Sequence, residues 1–386
     1  MRRSMWAVLL VTILFGIGCT KKNPGDSAGA SASGQGEIRI GQFGSMTGGE
    51  ATFGQSTDKG IRLAIDAKNA AGGIKGRKLV LLTEDNQGKP EEAAAVVKKL
   101  ITQNEVVALL GEVASTRSLA AAPIAQQYKI PMVSPSSTNP KVTEVGDYIF
   151  RVCFIDPFQG PVMARFTYDT LKLKKVAILK DLKSDYSLGL AEFFAKKFKE
   201  LGGEIVSEQT FQTGDSDFKG QLTGIRSSNP DAIFIPAYYT EVGLIARQAR
   251  QLGLKAVLLG GDGWDSPKLF EIGQTAIQGS YFSNHYASES PVKATQEFIK
   301  KYKEKYNETP DGLAAAGYDA AQILLDAMER APEITAKAIR DELAKTKDFA
   351  GATGKITINS ERNADKDAFI VKVEGKALKF VTLLSP

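Results

Sequence analysis

Two short segments of this sequence are rich in hydroxyl groups that are able to hold a ligand. Ser115 and Thr116 stand at a predicted helix start, and Ser134-Pro-Ser-Ser-Thr-Asn-Pro140 follows a predicted strand. Hydroxyls at a helix start can simply cap its free backbone N–H groups. With those N–H groups, at the positive end of the helix dipole, they could instead hold a carboxylate. The two segments could converge on one anion.

An acidic residue in the second half of the chain offers the complementary charge. Asp262 lies in Gly260-Gly-Asp-Gly-Trp-Asp265, where an acid between glycines is often only a turn residue. In a cleft, the same carboxylate would suit an ammonium group. Tyr238 and Tyr239 follow another predicted strand and could form a wall. Hydroxyls, one acid and aromatic walls are together what a zwitterionic amino acid needs.

Catalytic, metal and nucleotide chemistry find little support in the residue types. His285 is the only histidine, so it lacks a second histidine for a metal site, and we expect it to be structural. Cys153 lies in an apolar run and is expected to be a small buried hydrophobe. The Gly-rich segment 44–54 lacks the Gly-Lys-Ser/Thr ending of a P-loop. The sequence predicts no enzyme, no cofactor and no metal.

The elements that must position these residues form two similar series. Short apolar segments predicted as strands begin near 38, 78, 106 and 130, and again near 176, 205, 232 and 256, with helical patterns between them. This alternation predicts an α/β fold with two parallel sheets, each covered by helices. Helices over about 291–345 and strands near 355–358 and 368–373 must join one sheet or the other. In such sheets ligands collect at the carboxyl ends of strands.

The amino-terminal region predicts export. Residues 1–19 have the charge and apolar pattern of a signal peptide, too short to span a bilayer. Cys19 follows Gly18 as in a lipoprotein processing site, although Gly16 stands where leucine is usual. The alternative is ordinary cleavage, with Cys19 incidental. Residues 20–36 are Gly/Ser-rich and predict a flexible linker, so we expect a periplasmic protein held to a membrane by lipid alone.

The charge balance argues against a nucleic-acid partner. The chain has 49 basic and 44 acidic residues, for a net charge of +5, and part of that excess lies in the predicted leader. A nucleic-acid surface usually needs a clustered basic face. The basic runs at 172–175 and 300–303 are better explained as solvated helix faces.

Several motifs spread over the body of the chain form a set. They are Gly44-Ser-Met-Thr-Gly48 with Phe53-Gly54, Ala71-Gly-Gly-Ile-Lys-Gly76, Ser134-Pro-Ser-Ser-Thr138, Arg247-Gln-Ala-Arg-Gln-Leu-Gly253 and Gly260-Gly-Asp-Gly263. Together they resemble the leucine/isoleucine/valine-binding family of type I periplasmic binding proteins, over about 37–386. The resemblance implies two Rossmann-like lobes joined by a three-strand hinge. It also implies capture of branched-chain or related apolar amino acids for an ABC transporter.

The resemblance assigns the carboxylate end of the ligand to lobe 1. In the family a serine at the position of Ser115 and a threonine at Thr138 hold the carboxylate. Backbone groups of the loop at Ser136 and Ser137 assist them. These four residues belong to the two hydroxyl-rich segments described above.

The ammonium group and side chain of the ligand are assigned to other positions. The family's ammonium partner lies at Asp262, where many relatives carry glutamate, and Phe53, Tyr186 and Tyr238 resemble its side-chain and closing contacts. Phe53 replaces a common tyrosine and Asp262 is shorter than glutamate, which leaves the preferred side chain open. Trp264 could also reduce or reshape the pocket.

The family's chain order implies where the lobes divide. Lobe 1 would comprise 37–154 with 283–367, and lobe 2 would comprise 155–282 with 368–386. Lobe 1 would bind the ligand first and lobe 2 would close over it. A membrane permease would then recognise the closed monomer. A sensory ligand-binding protein on the same fold, and a binder of short amides or urea, are the alternatives.

Overall fold

The computed structural model describes residues 36–385 of the chain. The predicted signal peptide, the lipidation site at Cys19 and the predicted linker up to residue 35 lie outside the described residues. Among the residues that are described, no helix combines the length and apolar character needed to cross a membrane.

The first sheet is built from the chain between residues 38 and 151 and has five parallel strands in the order β2-β1-β3-β4-β5. Its three shortest strands are buried along their whole length, as expected when helices cover both faces. The elements are β1 Ile38–Gly44, α1 Ala51–Ala70, β2 Leu79–Asp85, α2 Pro90–Thr102, β3 Ala108–Leu110, α3 Ser115–Tyr128, β4 Met132–Ser134, α4 Lys141–Glu144 and β5 Ile149–Arg151.

The second sheet begins with the same alternation of strands and helices. Five of its strands are parallel and lie in the order β10-β9-β8-β6-β7. The elements are α5 Asp156–Arg165, β6 Lys175–Asp181, α6 Asp185–Glu200, β7 Glu204–Phe211, α7 Lys219–Ser227, β8 Ala232–Phe234, α8 Tyr239–Gln251, β9 Val257–Gly260, α9 Pro267–Gly273 and β10 Tyr281–Asn284.

The last part of the chain, from residue 293 onward, adds elements beside both sheets. One helix from it packs on α1 beside the first sheet, and its last two strands add an antiparallel edge to the second sheet. Three short strands pair with one another in a separate small antiparallel sheet. The elements are α10 Lys293–Tyr306, α11 Gly312–Arg330, α12 Ala336–Leu343, β11 Phe349–Gly351, β12 Gly354–Ile358, β13 Ala364–Asp365, β14 Ala368–Glu374 and β15 Ala377–Leu384.

The predicted fold class is confirmed: each sheet with its helices forms one α/β lobe, and the chain passes between the lobes after β5, after β10 and after β13. The second sheet is mixed rather than wholly parallel. This difference arises because β14 and β15 are joined by a tight turn, which only antiparallel neighbours allow. The residue boundaries given above for the lobes stay predictions.

Lobe 1 is held together by an unusually close contact between α1 and α11. A Cβ on Gly60 would lie 2.0 Å from the carbonyl oxygen of Ala314, and one on Gly317 would lie 2.6 Å from that of Thr57. The two helix backbones therefore touch where neither glycine has a side chain. This contact fixes the amino-terminal ends of both helices, from which Phe53 and Leu313 reach the space between the lobes.

Candidate functional site

A small enclosed cavity lies between the two lobes. Its lining comes from α1, α3, α11 and the loops after β3 and β4 on one side, and from α6, the start of α8 and the turn after β9 on the other. Six of the eight predicted ligand-binding residues meet there, joined by Val113, Gly263 and Leu313. The six are Phe53, Ser115, Ser136, Tyr186, Tyr238 and Asp262.

The other two predicted residues are buried beside the cavity and are absent from its lining. The backbone N–H of Ser137 donates to Ser134 Oγ at 2.9 Å, and the Ser137 hydroxyl donates to the carbonyls of Glu112 and Val113. The buried hydroxyl of Thr138 makes no well-formed hydrogen bond among the described residues, and the carboxyl group near it is that of the buried Asp156. Thr138 thus keeps an unused hydrogen-bonding group close to the cavity, whereas the groups of Ser137 are already occupied.

The start of α3 is open to an anion. Ala114 precedes the helix and has no side chain able to cap it, so the N–H groups from Ser115 onward are uncapped, while the N–H of Ala114 itself donates to the Glu112 carboxylate. The Ser115 hydroxyl accepts from the backbone N–H of Asn139 at 3.2 Å, and the Thr116 hydroxyl accepts from that of Asp185 at 2.9 Å. The simple capping role considered from the sequence is therefore wrong for both residues. Free N–H groups at a helix start attract negative charge.

A buried arginine holds the loop after β4 in place. Arg151 donates to the carbonyl of Asn139 at 2.8 Å, to that of Pro140 at 3.1 Å and to the Thr143 hydroxyl at 3.1 Å, and it also reaches the carbonyl of Ser137. Four contacts from one rigid guanidinium fix the path of the loop that carries Ser136 and Thr138.

Asp262 is held by three side chains that the sequence did not connect with it. Gln159 donates to its Oδ1 at 2.7 Å. His285 Nε2 lies 3.0 Å from its Oδ2, and the Ser136 hydroxyl lies 3.3 Å from the same oxygen. Burial lowers the pKa of His285, so the imidazole is neutral near pH 7 and donates through Nε2. The orientation of this carboxylate is thus set from both lobes.

The expected structural role of His285 is therefore incomplete, because the ring contacts the candidate ammonium partner. Its ring packs on Phe154 with the centroids 4.0 Å apart, and Ser136 Oγ lies 3.0 Å from Nε2. Gln159, which also donates to Ser283, was missed as well. The available signal was position: His285 directly follows β10, whose carboxyl end faces the cleft, but no strand was predicted there.

Aromatic rings close the cavity on the side of lobe 2. Tyr186 and Tyr238 stack with centroids 5.3 Å apart, and Phe53 meets Tyr238 edge-on at 5.2 Å. The cavity has a volume of only about 10 Å³, which is enough for about one water molecule. An amino acid therefore requires the lobes or these rings to move apart. Trp264 does not line the cavity, since its indole nitrogen donates to the carbonyl of Ile235 at 2.9 Å.

A second buried polar cluster, centred on Glu112 and Arg117, packs against the start of α3. Glu112 Oε1 accepts from the Ser45 hydroxyl at 2.9 Å, from Asn86 at 3.0 Å and from Arg117 Nε at 3.0 Å. Arg117 also pairs with Glu50. Arg117 offsets the charge of one carboxylate, and burial raises the pKa of Glu50, which favours its neutral form. The cluster was not predicted, because its members lie far apart in the sequence.

With this geometry established, the chain can be compared with known proteins. A model described as periplasmic binding protein matches residues 37–377. The chain belongs to the periplasmic binding protein family. Within that family it is similar to the leucine-specific-binding protein of Salmonella typhimurium strain LT2. The two are 33% identical over 308 residues, which is 79% of this chain and 81% of that protein.

Two solved members of the family share this architecture. A leucine-binding protein, LivK, from Thermotoga maritima MSB8 is 43% identical with a TM-score of 0.86, and the match covers 90% of this chain and 99% of that one. LivJ from Streptococcus pneumoniae, solved in complex with isoleucine, is 34% identical with a TM-score of 0.86 and covers 91% and 100%. The predicted family, the leucine/isoleucine/valine-binding proteins, is thereby confirmed.

Proposed function

We propose that this protein is the extracytoplasmic substrate-binding protein of an ABC transporter and that it captures leucine, isoleucine, valine or a related apolar amino acid. The observation that carries the proposal is the single cavity that joins an uncapped helix start at Ser115 to the carboxylate of Asp262 between aromatic walls. Relatives that bind leucine and isoleucine support the same ligand class.

The proposed binding mode follows the polarity of the cavity. The ligand carboxylate lies at the start of α3, near Ser115, Thr138 and the loop at Ser136 and Ser137, where N–H groups and hydroxyls offset its charge. The ammonium group donates to Asp262. The apolar side chain of the ligand packs against the rings of Phe53, Tyr186 and Tyr238. On the opposite wall it packs against the aliphatic side chains of Val113 and Leu313.

Closure of the two lobes over the ligand is supported by hydrogen bonds that cross the cleft outside the cavity. The Thr52 and Ser266 hydroxyls are 2.9 Å apart, and the Thr240 hydroxyl donates to the carbonyl of Gly49 at 2.6 Å. We propose that the three chain crossings near 154, 283 and 367 form the hinge. Binding without chemical conversion of the amino acid is the proposed activity.

Calorimetric titration tests the ligand class. The chain from Glu37 onward is unfolded and refolded to remove any amino acid carried through purification, then titrated with leucine, isoleucine, valine, phenylalanine, alanine, glutamate and acetamide. One-to-one binding of the branched-chain set is expected. The matched ligand 4-methylpentanoate, which is leucine without its amino group, is expected to bind far more weakly. A response to acetamide alone would discard the zwitterion site and leave the fold.

Delivery and anchoring are further parts of the proposal. A monomer held to the membrane by lipid on Cys19 would present its closed form to the permease subunits. Replacement of Cys19 by serine should release the protein into the soluble extracytoplasmic fraction without altering its affinity for leucine. If the wild-type protein is already soluble after export, the lipid anchor is excluded.

A further inference from the structure

A second, much larger groove also runs between the lobes. Its volume is about 720 Å³, within the range of sites for small organic molecules. It is lined by α1, α9, the segment after β10, the loop before α11 and the turn between β14 and β15. No residue lines both this groove and the small cavity, although Thr52 and Gly312 of the groove are chain neighbours of Phe53 and Leu313. The groove is therefore a separate space.

Two carboxylates, that of the buried Asp265 and that of the partly buried Asp311, face this groove without a basic partner. Asp265 Oδ2 accepts from Asn284 Nδ2 at 2.8 Å and from the backbone N–H of Gly312 at 2.7 Å. Asp311 accepts from the Ser56 hydroxyl at 2.6 Å and from the backbone N–H of Ala314 at 2.8 Å. Among the described residues neither acid forms an ion pair with lysine, arginine or histidine. Two acids that share a buried site favour a bound proton or cation.

An unsatisfied hydroxyl belongs to a residue that lines the same groove as the two acids. Tyr286 is only 4% exposed, lines the groove, and its hydroxyl has no hydrogen-bond partner among residues 36–385. Burial raises the pKa of this phenol, and the charges of Asp265 and Asp311 raise it further. A buried hydroxyl without a partner costs free energy, which a polar group on a bound ligand would recover.

We propose that this groove binds a primary alkylammonium ion, with Asp265, Asp311 and the Tyr286 hydroxyl as its polar contacts. The carboxylates supply charge-assisted hydrogen bonds. Phe270 and Tyr302, which also line the groove, supply the apolar and ring surface that organic cations prefer. A metal ion fits less well, because the described residues contain no group of three or more histidine, cysteine or acidic side chains placed to hold one.

The ion would favour the closed protein. Asp265 follows β9 in lobe 2, whereas Asp311 and Gly312 stand at the start of α11 in lobe 1. Asp265 therefore reaches the start of α11 only when the lobes meet. A ligand that binds one conformation better shifts the population toward it. By linkage, the ion and the amino acid in the small cavity should each raise the affinity for the other.

A pH dependence distinguishes this site from non-specific attraction. Burial, and then the charge of Asp311, raises the pKa of Asp265 to about 7. Only the ionised carboxylate attracts an ammonium ion, so affinity should rise from about pH 6 to about pH 8. The other charged groups that face the groove are Asp311, Lys59 paired with Glu308, Glu289 paired with Lys379, and Lys376.

The test is a calorimetric titration of the purified full-length protein with n-butylammonium chloride, with n-butanol as the neutral control ligand. Asp265→Asn and Asp311→Asn should each weaken binding by about tenfold, since one charge-assisted contact is lost. Tyr286→Phe should weaken it by about threefold. Asp311 is the N-cap of α11, and asparagine also serves well in that position, so Asp311→Asn should keep the helix start intact. The control Asp169→Asn, at an exposed aspartate outside the groove, should bind as the wild type does.

Three outcomes would overturn the site: no heat with n-butylammonium, equal binding by the wild type and both Asn variants, or equal binding of n-butanol. The protein is unfolded and refolded first, as for the leucine titration, so that no bound amino acid influences the result. Leucine binding without amine binding would remove only the groove site, and amine binding without leucine binding would remove only the proposed function.

Discussion

Asp262 is a short acid that must reach a ligand while three protein donors already hold it. A carboxylate has about four lone-pair positions. Gln159, His285 and Ser136 occupy three of them, which leaves about one for an ammonium group. Gln159 and Asp262 both belong to lobe 2, so this contact orients the carboxylate before the lobes close. This preorganisation reduces the cost of binding.

Replacement of Asp262 by alanine should therefore abolish most of the affinity for leucine. Loss of one partner of a buried, hydrogen-bonded charge pair costs about 2 to 5 kcal/mol, so the dissociation constant should rise by at least about 30-fold. Calorimetry measures the change. Asp169→Ala, at an exposed aspartate in lobe 2, serves as the matched control. An unchanged affinity in Asp262→Ala would remove this residue as the ammonium partner.

His285 should act on the ligand through Asp262. His285→Ala removes the donor to Oδ2 and should weaken leucine binding by about tenfold, the value of a hydrogen bond to a charged group. His285→Gln keeps an N–H donor and should recover part of that loss. Chemical denaturation of both variants separates this effect from stability. If the role of His285 were purely structural, the loss of affinity in each variant would simply parallel its loss of unfolding free energy.

At the scale of helices and strands, the alternation of apolar segments predicted the elements from β1 to β4 and from β6 to β9 well, because each is a local pattern. It missed β10, since Tyr-Phe-Ser-Asn has no apolar run and becomes a strand only between β9 and β14. The resemblance assigned all eight site residues, and six of them share one cavity. Gln159 and His285 could not be inferred, because their partner Asp262 is more than twenty residues away in each case.

The contact of α1 with α11 should tolerate no side chain at Gly60. The Cβ position lies against the carbonyl of Ala314, so valine would force the two backbones apart. Overpacking of this kind costs about 1 to 3 kcal/mol. Urea denaturation of Gly60→Val should show this loss, while Gly220→Val, where a Cβ meets nothing within 4 Å, controls for the substitution itself. Equal stability of the two variants would contradict the observed packing.

The third crossing between the lobes contains a buried lysine whose charge affects stability. Burial lowers the pKa of Lys366 to about 8, although Asp319 partly offsets this effect. In the unfolded chain a lysine titrates near 10.4, so between about pH 8 and 10 the unfolded state binds more protons. The contribution of Lys366 to stability should therefore increase with pH in this window. Denaturation curves of wild type and Lys366→Met should diverge there, and parallel curves would contradict the lowered pKa.

At the scale of the whole molecule, the small cavity and the contacts across the cleft describe a closed form. Hydrogen bonds such as Thr52 to Ser266, Thr240 to Gly49 and Asp185 to Thr116 link the lobes at its rim. Each is worth only about 1 kcal/mol net, so their sum is small enough for the lobes to open spontaneously. A ligand that contacts both lobes then shifts the balance toward closure.

A disulfide across the cleft tests this closure directly. The Thr52 and Ser266 hydroxyls are 2.9 Å apart, so cysteines in both positions approach bonding distance only when the lobes meet. With a thiol oxidant, Thr52→Cys/Ser266→Cys should cross-link faster in the presence of leucine than in its absence. The cross-linked protein should then exchange bound leucine slowly until a reductant reopens it. The single variant Thr52→Cys controls for Cys153, which is buried. Cross-linking at one rate with and without leucine would mean that the ligand does not drive the lobes together.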